Sequence, residues 1–258
     1  MKEELKCKLP KWYKSINKDK YYLVLSNDFD SYYSCKLLNK LFRINIGGYF
    51  DLGQGLYLNR ERVSGKMPIY VDLSEINGMC FDNHYTFIPN RKRVSPNNYR
   101  TDYQHRYNGS TFAFLVALFG VDLRRWSIQQ LDALIAIDGW DAGYYKYNGR
   151  YRKVTLAWMD AFEIGKYLIP ILQAHDRQYF LNFGDKYHLN AKIEMRGNRL
   201  YCDQNIKLPS CQFELVKKTT REFMPSYKLQ EIYEWEPDLI ITAAETYKDK
   251  YSICRKVK

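Results

Sequence analysis

The stretch Tyr21-Tyr22-Leu23-Val24-Leu25-Ser26-Asn27-Asp28-Phe29-Asp30 decides the fold of this chain. Its first half is apolar and has the length of a buried β-strand, and two carboxylates follow, those of Asp28 and Asp30. In an open parallel sheet, ligands bind in the crevice beyond the carboxyl ends of the strands. We therefore predict an α/β sheet in which this strand delivers Asp28 and Asp30 to a binding site.

The same layout occurs twice more downstream. The apolar run 67–71 is followed by Asp72, and the run 79–81 is followed by Asp82-Asn83-His84. If these runs are neighbouring parallel strands, their carboxyl ends meet at one edge of the sheet. Acids and a histidine gathered there are the ligands that a hard divalent cation acting on phosphate requires.

Residues 20–145 alternate short apolar runs with helical periodicity, which is typical of βαβ units and of a mainly parallel sheet flanked by helices. Ser31, Ser110 and Ser127 are the predicted N-caps of three helices. The predicted strands cover 21–25, 43–46 with 48–50, 67–71 and 79–81, and the helices cover 32–42, 111–119 and the segment from Ser127 to 137. The third helix would end in Asp138-Gly139-Trp140-Asp141, which places two further carboxylates at the end of an element.

The second half of the chain predicts a different organisation. Residues 154–175 have the pattern of one long amphipathic helix, which Pro170 should kink. The strands predicted beyond it are 192–195 and 199–202 as a hairpin, then 213–216, 239–242 and 251–254, with a short helix between the last two. We therefore predict a metal-binding α/β domain over 1–150, a helical linker over 151–184 and a small α+β C-terminal domain over 185–258.

The composition indicates a globular protein that prefers polyanions. The 258 residues carry a net charge of +11 and include 24 tyrosines, which could stack on bases. A Lys-rich surface without such a partner is the alternative. The six cysteines include no Cys-x-x-Cys pair, no apolar run reaches membrane-helix length, and the N-terminus has no secretory signal. We therefore predict no zinc finger, no disulfide scaffold, no membrane partner and a cytoplasmic location.

An oxygen-rich metal site is predicted at the sheet edge. Acids crowded this closely repel one another unless a cation lies between them, and their oxygens suit Mn²⁺ or Mg²⁺. The alternative is that Asp28 and Asp30 only cap a helix and that Asp82-Asn83-His84 is an ordinary turn. The candidate residues are Asp28, Asp30, Asp72, Asp82, His84 and one or both of Asp138 and Asp141.

A basic and aromatic segment follows the Asp-Asn-His triplet. We expect it to border the same pocket, because arginine clamps phosphate and tyrosine stacks on bases. A solvated charged loop is the alternative. The segment contains Arg91, Arg93, Arg100 and Arg106, with Tyr99, Tyr103 and Tyr107 among them.

The order of these motifs resembles the DHH phosphoesterase superfamily, which includes RecJ-type exonucleases, nanoRNases, cyclic-dinucleotide phosphodiesterases and family II pyrophosphatases. Asp28-Phe29-Asp30, Val71-Asp72-Leu73 and Asp82-Asn83-His84 resemble its first three motifs. Gly109-Ser110-Thr111 resembles the start of the helix that follows the third motif, and Asp138-Gly139-Trp140-Asp141-Ala142-Gly143 resembles the fourth, acidic motif. The likeness covers about residues 20–145, and Lys250-Tyr251-Ser252-Ile253-Cys254-Arg255 is similar to a strand of the DHH-associated domain.

The resemblance implies metal-dependent hydrolysis of a phosphoester. Mn²⁺ or Mg²⁺ would be held by Asp28, Asp30, Asp72, Asn83 and Asp138 or Asp141. Asp82 and His84 would be catalytic, with His84 on the substrate phosphate. The residues that would bind substrate are Arg91, Arg93, Arg100, Arg106 and Arg255.

The leading hypothesis is a metal-dependent phosphoesterase or nuclease that acts on nucleic acid or nucleotide phosphodiesters. The sequence departs from the family at Val24, Ser26 and Asn83, so the alternative is a degenerate module that binds or sequesters a nucleotide or nucleic acid without turnover. A structural or interaction protein that keeps only the scaffold is a third hypothesis. The substrate stays open among single-stranded DNA, short RNA, cyclic nucleotides and pyrophosphate, and the chain could form a homodimer.

Overall fold

The computed structural model describes residues 1–99, 102–146 and 149–257. The strands in these residues are Tyr21–Leu25 (β1), Ile46–Asp51 (β2), Gly55–Leu58 (β3), Met67–Val71 (β4), Met79–Phe81 (β5), Arg93–Val94 (β6), Glu194–Arg196 (β7), Arg199–Tyr201 (β8), Glu214–Pro225 (β9), Ile240–Tyr247 (β10) and Lys250–Lys256 (β11). The helices are Glu3–Lys6 (α1), Phe29–Phe42 (α2), Arg60–Val63 (α3), Thr111–Leu118 (α4), Ile128–Ala136 (α5), Trp140–Tyr145 (α6), Arg152–Ala161 (α7), Gly165–Ala174 (α8), Arg177–Lys186 (α9) and Ser226–Trp235 (α10).

Nine of these strands form one mixed sheet in the order β10-β11-β9-β3-β2-β1-β4-β5-β6, and β7 and β8 form a separate hairpin. The pairs β1–β2, β1–β4, β4–β5 and β5–β6 are parallel. The pairs that continue the sheet from β2 through β3, β9 and β11 to β10 are antiparallel. The predicted α/β class is confirmed. The parallel part of the sheet consists of β2, β1, β4, β5 and β6, in that order.

Both faces of β1 are covered, which explains why this strand is apolar without alternation. On one face, Leu23 and Leu25 pack into the main core with side chains of α2 and α4. On the other face, Tyr22 and Val24 pack into a second core to which β10 and β11 contribute. The central strand therefore joins the parallel half of the sheet to its antiparallel extension.

The antiparallel strands fold back over the carboxyl ends of the parallel ones. β10 lies at one end of the strand order, yet its backbone bonds to residues that follow β4 and β5 in the other half. The amide of Ala243 donates to the carbonyl of Ser74 (3.1 Å), and the amide of Glu245 donates to the carbonyl of Tyr85 (2.8 Å). The sheet is therefore curled, and its C-terminal strands cover the edge at which parallel sheets bind ligands.

Strands from the predicted first domain and from the predicted C-terminal domain share this one sheet. β9, β10 and β11 extend well beyond the short strands predicted at 213–216, 239–242 and 251–254. The domain boundaries at residues 150 and 185 stay predictions. Among the described residues, no helix is long and apolar enough to cross a membrane.

The prediction of one long helix over 154–175 is wrong. α7 ends at Ala161 and α8 begins at Gly165, while Pro170 lies inside α8 and does not mark the break. Glu163 adopts a left-handed conformation (φ 60°), and the amide of Ile164 donates back to the carbonyl of Met159 (3.2 Å). This is a Schellman stop, and because glutamate rather than glycine occupies the left-handed position, the sequence does not mark it.

Three smaller predictions are also wrong. No helix separates β10 from β11 in the described residues, because a tight turn joins them and α10 precedes both. α2 begins at Phe29 with Asp28 as its N-cap, rather than after Ser31. α5 ends at Ala136, so Asp141 lies in the first turn of α6, where the helix dipole favours an acid.

The start of α4 is tied to the start of α2 by one carboxylate. Asp30 is 4% exposed, and its two oxygens accept from the amides of Thr111 and Phe112, each at 2.7 Å. Amides in the first turn of a helix have no partner within the helix, so Asp30 satisfies two of them and complements the helix dipole.

Asp30→Ala should therefore lower the free energy of unfolding by about 2 to 3 kcal/mol, because two buried amides lose their acceptor. Asp30→Asn should lower it less, since the amide oxygen can still accept one of the two bonds. Urea unfolding of the three proteins measures this. An alanine variant as stable as the wild type would contradict the proposed capping.

Close packing at Gly109 fixes the loop that leads into α4. A β-carbon added to Gly109 would overlap the indole nitrogen of Trp140, which is fully buried. We predict that Gly109→Ala lowers the free energy of unfolding by about 3 kcal/mol, since neither the backbone nor the indole has room to shift.

Gly184→Ala is the matched control, because Gly184 lies within α9 and has open space around its missing β-carbon. That change should be neutral or stabilise by up to about 1 kcal/mol. Thermal unfolding of both variants separates the two cases, and equal melting temperatures would show that Gly109 is not constrained.

Candidate functional site

Side chains at the carboxyl ends of β4 and β5 meet beneath the curled C-terminal strands. One oxygen of Asp72, one oxygen of Asp82 and one ring nitrogen of His84 lie within 4.8 Å of one another. The two acids are buried, at 5% and 0% exposure, and His84 is half-buried. We call these three residues the acid–histidine cluster. They could hold a metal ion.

Asp72 is held in an unusual conformation. It follows β4 with a φ of 59°, in the left-handed region that non-glycine residues rarely occupy. The hydroxyl of Thr111 donates to Asp72 Oδ1 (2.7 Å), and the amide of Asp72 donates to the carbonyl of Phe81 (2.8 Å). Residues with such backbone conformations cluster at functional sites, and the bond from Thr111 holds this carboxylate at the carboxyl end of β4.

Asp82 and His84 form a tight pair. His84 Nδ1 and Asp82 Oδ1 are 2.7 Å apart, the hydroxyl of Ser74 donates to Asp82 Oδ2 (2.8 Å), and Arg93 Nη1 lies 3.9 Å from Oδ2. Burial by itself raises the pKa of Asp82, but the charges of His84 and Arg93 and the bonds from His84 and Ser74 outweigh it and lower that pKa.

The same pairing fixes the imidazole. Burial by itself lowers the pKa of His84, but the charge and hydrogen bond of Asp82, together with the charges of Asp72 and Asp138, raise it to about 10. Because Asp82 engages Nδ1, the other ring nitrogen is the one available to a ligand.

Asp28 and Asp30 lie beside the cluster, but both make contacts within the fold. Asp28 Oδ1 accepts from the amide of Ser31 (3.1 Å) as the N-cap of α2, and its Oδ2 lies 4.0 Å from Lys192 Nζ. Both oxygens of Asp30 bind the start of α4, as described above. Asp28 therefore caps a helix, as the alternative interpretation of the sequence predicted, and Asp30 binds the start of another helix. These contacts are present whether or not the two acids also serve the site.

Asn83 connects the cluster to Asp138. Its amide nitrogen donates to Asp138 Oδ2 (2.9 Å) and to the carbonyl of Gly109 (2.8 Å). Asn83 is 7% exposed, and its Oδ1 is buried without a hydrogen-bond partner among the described residues. An orphaned amide oxygen on a side chain that also contacts the carboxylate of Asp138 is a group that a hard cation can satisfy.

The structure separates Asp138 from Asp141. Asp138 has a φ of 55°, contacts Asn83 and faces an open pocket. Asp141 is buried in α6, and the charged residue that acts on it is Arg177 of α9. Asp138 therefore belongs with the candidate site, and Asp141 is not brought to it.

The crowding of the acids has an electrostatic cost. Burial, followed by the charges of neighbouring carboxylates, raises the pKa of Asp30 and of Asp72 well above the usual range. Burial also raises the pKa of Asp138, although the charge of His84 opposes this. A bound cation would remove this cost, because it replaces repulsion among the acids with attraction.

A small pocket of about 200 Å³ opens onto the cluster. Its floor includes Asp28, Asp72 and His84, and its opposite wall comes from β9, β10 and β11. That wall carries Arg221, whose Nε donates to the hydroxyl of Ser252 (2.9 Å). Ser26 also lines the pocket, and its buried hydroxyl has no hydrogen-bond partner in the part of the chain that the structure describes.

A large pocket of about 650 Å³ adjoins the small one. Thr246 lines both pockets, and Asp138 lies in the wall of the large one. The large pocket is basic and aromatic. Its walls include Tyr103, Arg106, Lys146, Arg150, Tyr247 and Lys248.

The predicted basic loop is divided by the structure. Arg106 lines the large pocket, whereas Arg91 lines a different open pocket beside Lys8 and Lys11. Arg93 is buried, and its Nε donates to Asn98 Oδ1 (2.7 Å). Arg255 pairs with Glu222 (3.3 Å) on β9, and Arg100 lies outside the described residues.

Two tyrosines expected to stack on bases differ in accessibility. Tyr107 is 1% exposed and packs against Trp140 and Trp158 in the core, so it cannot contact a ligand. Tyr103 lines the large pocket. The side chain of Tyr99 lies outside the described part of the structure.

Several cationic side chains of the site were not expected from the sequence. Lys192 and Arg221 reach the small pocket from the C-terminal half, and Lys146, Arg150 and Lys248 reach the large one. No motif marks these residues. The curl of the sheet brings Arg221 of β9 and Lys248, at the end of β10, to the site, whereas the other three lie in connections between elements. The predicted acids, in contrast, follow directly from the strands that carry them.

Comparison of the chain with protein-family models, with curated proteins and with solved structures finds no match.

Proposed function

We propose that this protein is a metal-dependent phosphoesterase that acts on nucleic acid or nucleotide phosphodiesters, with Mn²⁺ or Mg²⁺ at the acid–histidine cluster. The observation that carries the proposal is the convergence of Asp72, Asp82 and His84 at the carboxyl ends of two parallel strands. Without a cation, the carboxylates of such a cluster repel each other. With a cation bound, the cluster can activate a phosphoryl group toward hydrolysis.

The resemblance to the DHH phosphoesterases supports the same function. Four segments with the order of that family's motifs supply Asp28, Asp72, Asp82-Asn83-His84 and Asp138, and these side chains lie around one site. By the same resemblance, residues 185–258 would serve as the substrate-binding C-terminal domain of that family.

The donor set fits a hard divalent cation. The cluster offers two carboxylates and an imidazole, with Asp28 and Asp138 at its border and the unpartnered amide oxygen of Asn83 nearby. Such a cation supplies Lewis acidity for the phosphoryl group and for the water that attacks it. Carboxylates with a single imidazole suit Mn²⁺ or Mg²⁺ better than softer metals.

The chain's own side chains account for the rest of the chemistry. Asp82 holds His84 in one orientation, so that its other ring nitrogen would be presented to the cation. Lys192 and Arg221 place two positive charges in the small pocket, where they neutralise phosphate oxygens. The C-terminal strands restrict the access of bulk water, which strengthens these interactions.

A second candidate is a module that binds a nucleotide or nucleic acid without turnover. Both oxygens of Asp30 are used by α4, and the amide nitrogen of Asn83 is used by Gly109 and Asp138. If these hydrogen bonds make Asp30 and Asn83 unavailable to a cation, the metal site has fewer ligands than the family pattern implies. Such a module would bind its ligand in EDTA and release it unchanged.

Mn²⁺ at roughly a hundred times its dissociation constant should stabilise the protein by about 2.7 kcal/mol, which is about 5 to 10 °C in melting temperature for a chain of this size. The melting temperature of Asp72→Asn should not rise with Mn²⁺. Asparagine is the chosen replacement because it tolerates a left-handed backbone. Asp141→Asn is the control, and its melting temperature should rise as that of the wild type does. A melting temperature that does not respond to Mn²⁺ would count against a metal site.

Metal-dependent cleavage should require Asp72. We expect Asp72→Asn to lower turnover at least about a hundredfold, because the cluster loses a charge that holds the cation. The assay follows product release from single-stranded DNA, di-ribonucleotides, cyclic dinucleotides and pyrophosphate, with Mn²⁺, with Mg²⁺ and with EDTA.

Undiminished turnover by Asp72→Asn would refute the proposed site. Binding of one substrate in EDTA, with no hydrolysis of any of them, would favour the binding module instead.

A further inference from the structure

We propose that the large pocket binds the nucleoside part of a nucleotide whose phosphate occupies the small pocket. The substrate class would then be a nucleotide or a single-stranded oligonucleotide, and not inorganic pyrophosphate. The placement of the phosphate rests on the proposed function, whereas the nucleoside site is argued from the large pocket itself.

The aromatic groups of the large pocket are arranged as a stacking surface. The guanidinium of Arg106 lies 3.6 Å from the centre of the Tyr103 ring, and its Nη1 donates to the carbonyl of Tyr103 (2.8 Å). This places a planar cation over the face of an aromatic ring, and bases stack on both kinds of group. The ring of Tyr85 supports Tyr103 edge-on, with the ring centres 6.0 Å apart.

Tyr247 provides a second ring at the end of β10. It is 66% exposed although it is a large aromatic side chain, and it lines the same pocket. An exposed ring at the mouth of a pocket gains contact area when a flat ligand covers it. We infer that a base lies between Tyr247 and the pair formed by Arg106 and Tyr103.

The charges of the pocket match a phosphate backbone. Arg106, Lys146, Arg150 and Lys248 contribute four cationic side chains, and Asp138 is the one carboxylate among the lining residues that the structure describes. An apolar metabolite would not require this excess of positive charge, whereas the phosphates of an oligonucleotide would.

The position and size of the two pockets agree with a phosphate in the small pocket and a nucleoside in the large one. The small pocket has room for a phosphoryl group beside the cluster, at about 200 Å³, and the large one has about 650 Å³. Thr246 lies in the wall of both, and Asp138 joins the large pocket to the cluster through Asn83. A nucleotide can therefore extend from one pocket into the other.

The test measures the binding of a fluorescently labelled single-stranded pentathymidylate by anisotropy, in Ca²⁺ and again in EDTA. Tyr247→Ala should weaken binding about tenfold, because one stacking ring is lost, and Tyr247→Phe should bind like the wild type. Arg150→Gln should weaken binding and reduce its dependence on salt. Tyr227→Ala and Lys228→Gln on α10 are the controls, because both residues are exposed and line neither pocket.

Unlabelled competitors identify the form of the nucleotide. Thymidine monophosphate and the single-stranded pentamer should both displace the probe, whereas pyrophosphate should displace it only at much higher concentration. Failure of the monophosphate to displace the probe would overturn the nucleoside site, because the pocket would then bind only an extended backbone. Displacement by pyrophosphate as readily as by the monophosphate would overturn the nucleoside site.

The inference and the proposed function fail in different ways. If Tyr247→Ala and Arg150→Gln both bind like the wild type, or if the wild type does not bind the probe, the nucleoside site is refuted even when metal-dependent hydrolysis is found. If those variants lose affinity but no metal supports hydrolysis, the nucleoside site stands and the phosphoesterase does not.

Discussion

The repulsion between buried carboxylates is the constraint on which the rest of this structure depends. Asp30, Asp72 and Asp82 are nearly inaccessible to water, and each would be unstable there without donors. Thr111 serves two of them, since its amide donates to Asp30 and its hydroxyl donates to Asp72. Asp82 is served by Ser74 and His84. The start of α4 and the loops after β4 and β5 are therefore positioned by the acids that they stabilise.

The curl of the sheet turns this acidic edge into a site. The N-terminal half supplies the acids and His84, and the C-terminal strands supply cations such as Arg221 and the shared wall at Thr246. Opposite charges thus face each other across a narrow pocket, as the proposed binding of an anionic ligand beside a cation requires. Neither half of the chain contains the complete set of groups.

Local patterns predicted much of the parallel half. The predicted strands 21–25, 67–71 and 79–81 coincide with β1, β4 and β5, and Ser110 and Ser127 are N-caps as expected. These features depend on neighbours in sequence, which is why they can be read from it. The directions of Arg93 and Arg106 depend on which loops pack together, so the sequence could not show that one is buried and the other lines a pocket. The end of α7 could not be predicted from the sequence either, because its left-handed residue is Glu163 and not a glycine.

The pairing of β10 with the loops after β4 and β5 also has a consequence for the order of assembly. Residues 74 and 243 are hydrogen-bonded neighbours although most of the chain separates them. Contacts of such high sequence separation form slowly, because a long loop must close before they contribute. During synthesis, the acids after β4 and β5 leave the ribosome well before β10 and β11 exist to cover them. A nascent chain would therefore expose its acidic edge to solvent, and the ligand site would be completed only when the C-terminal strands dock.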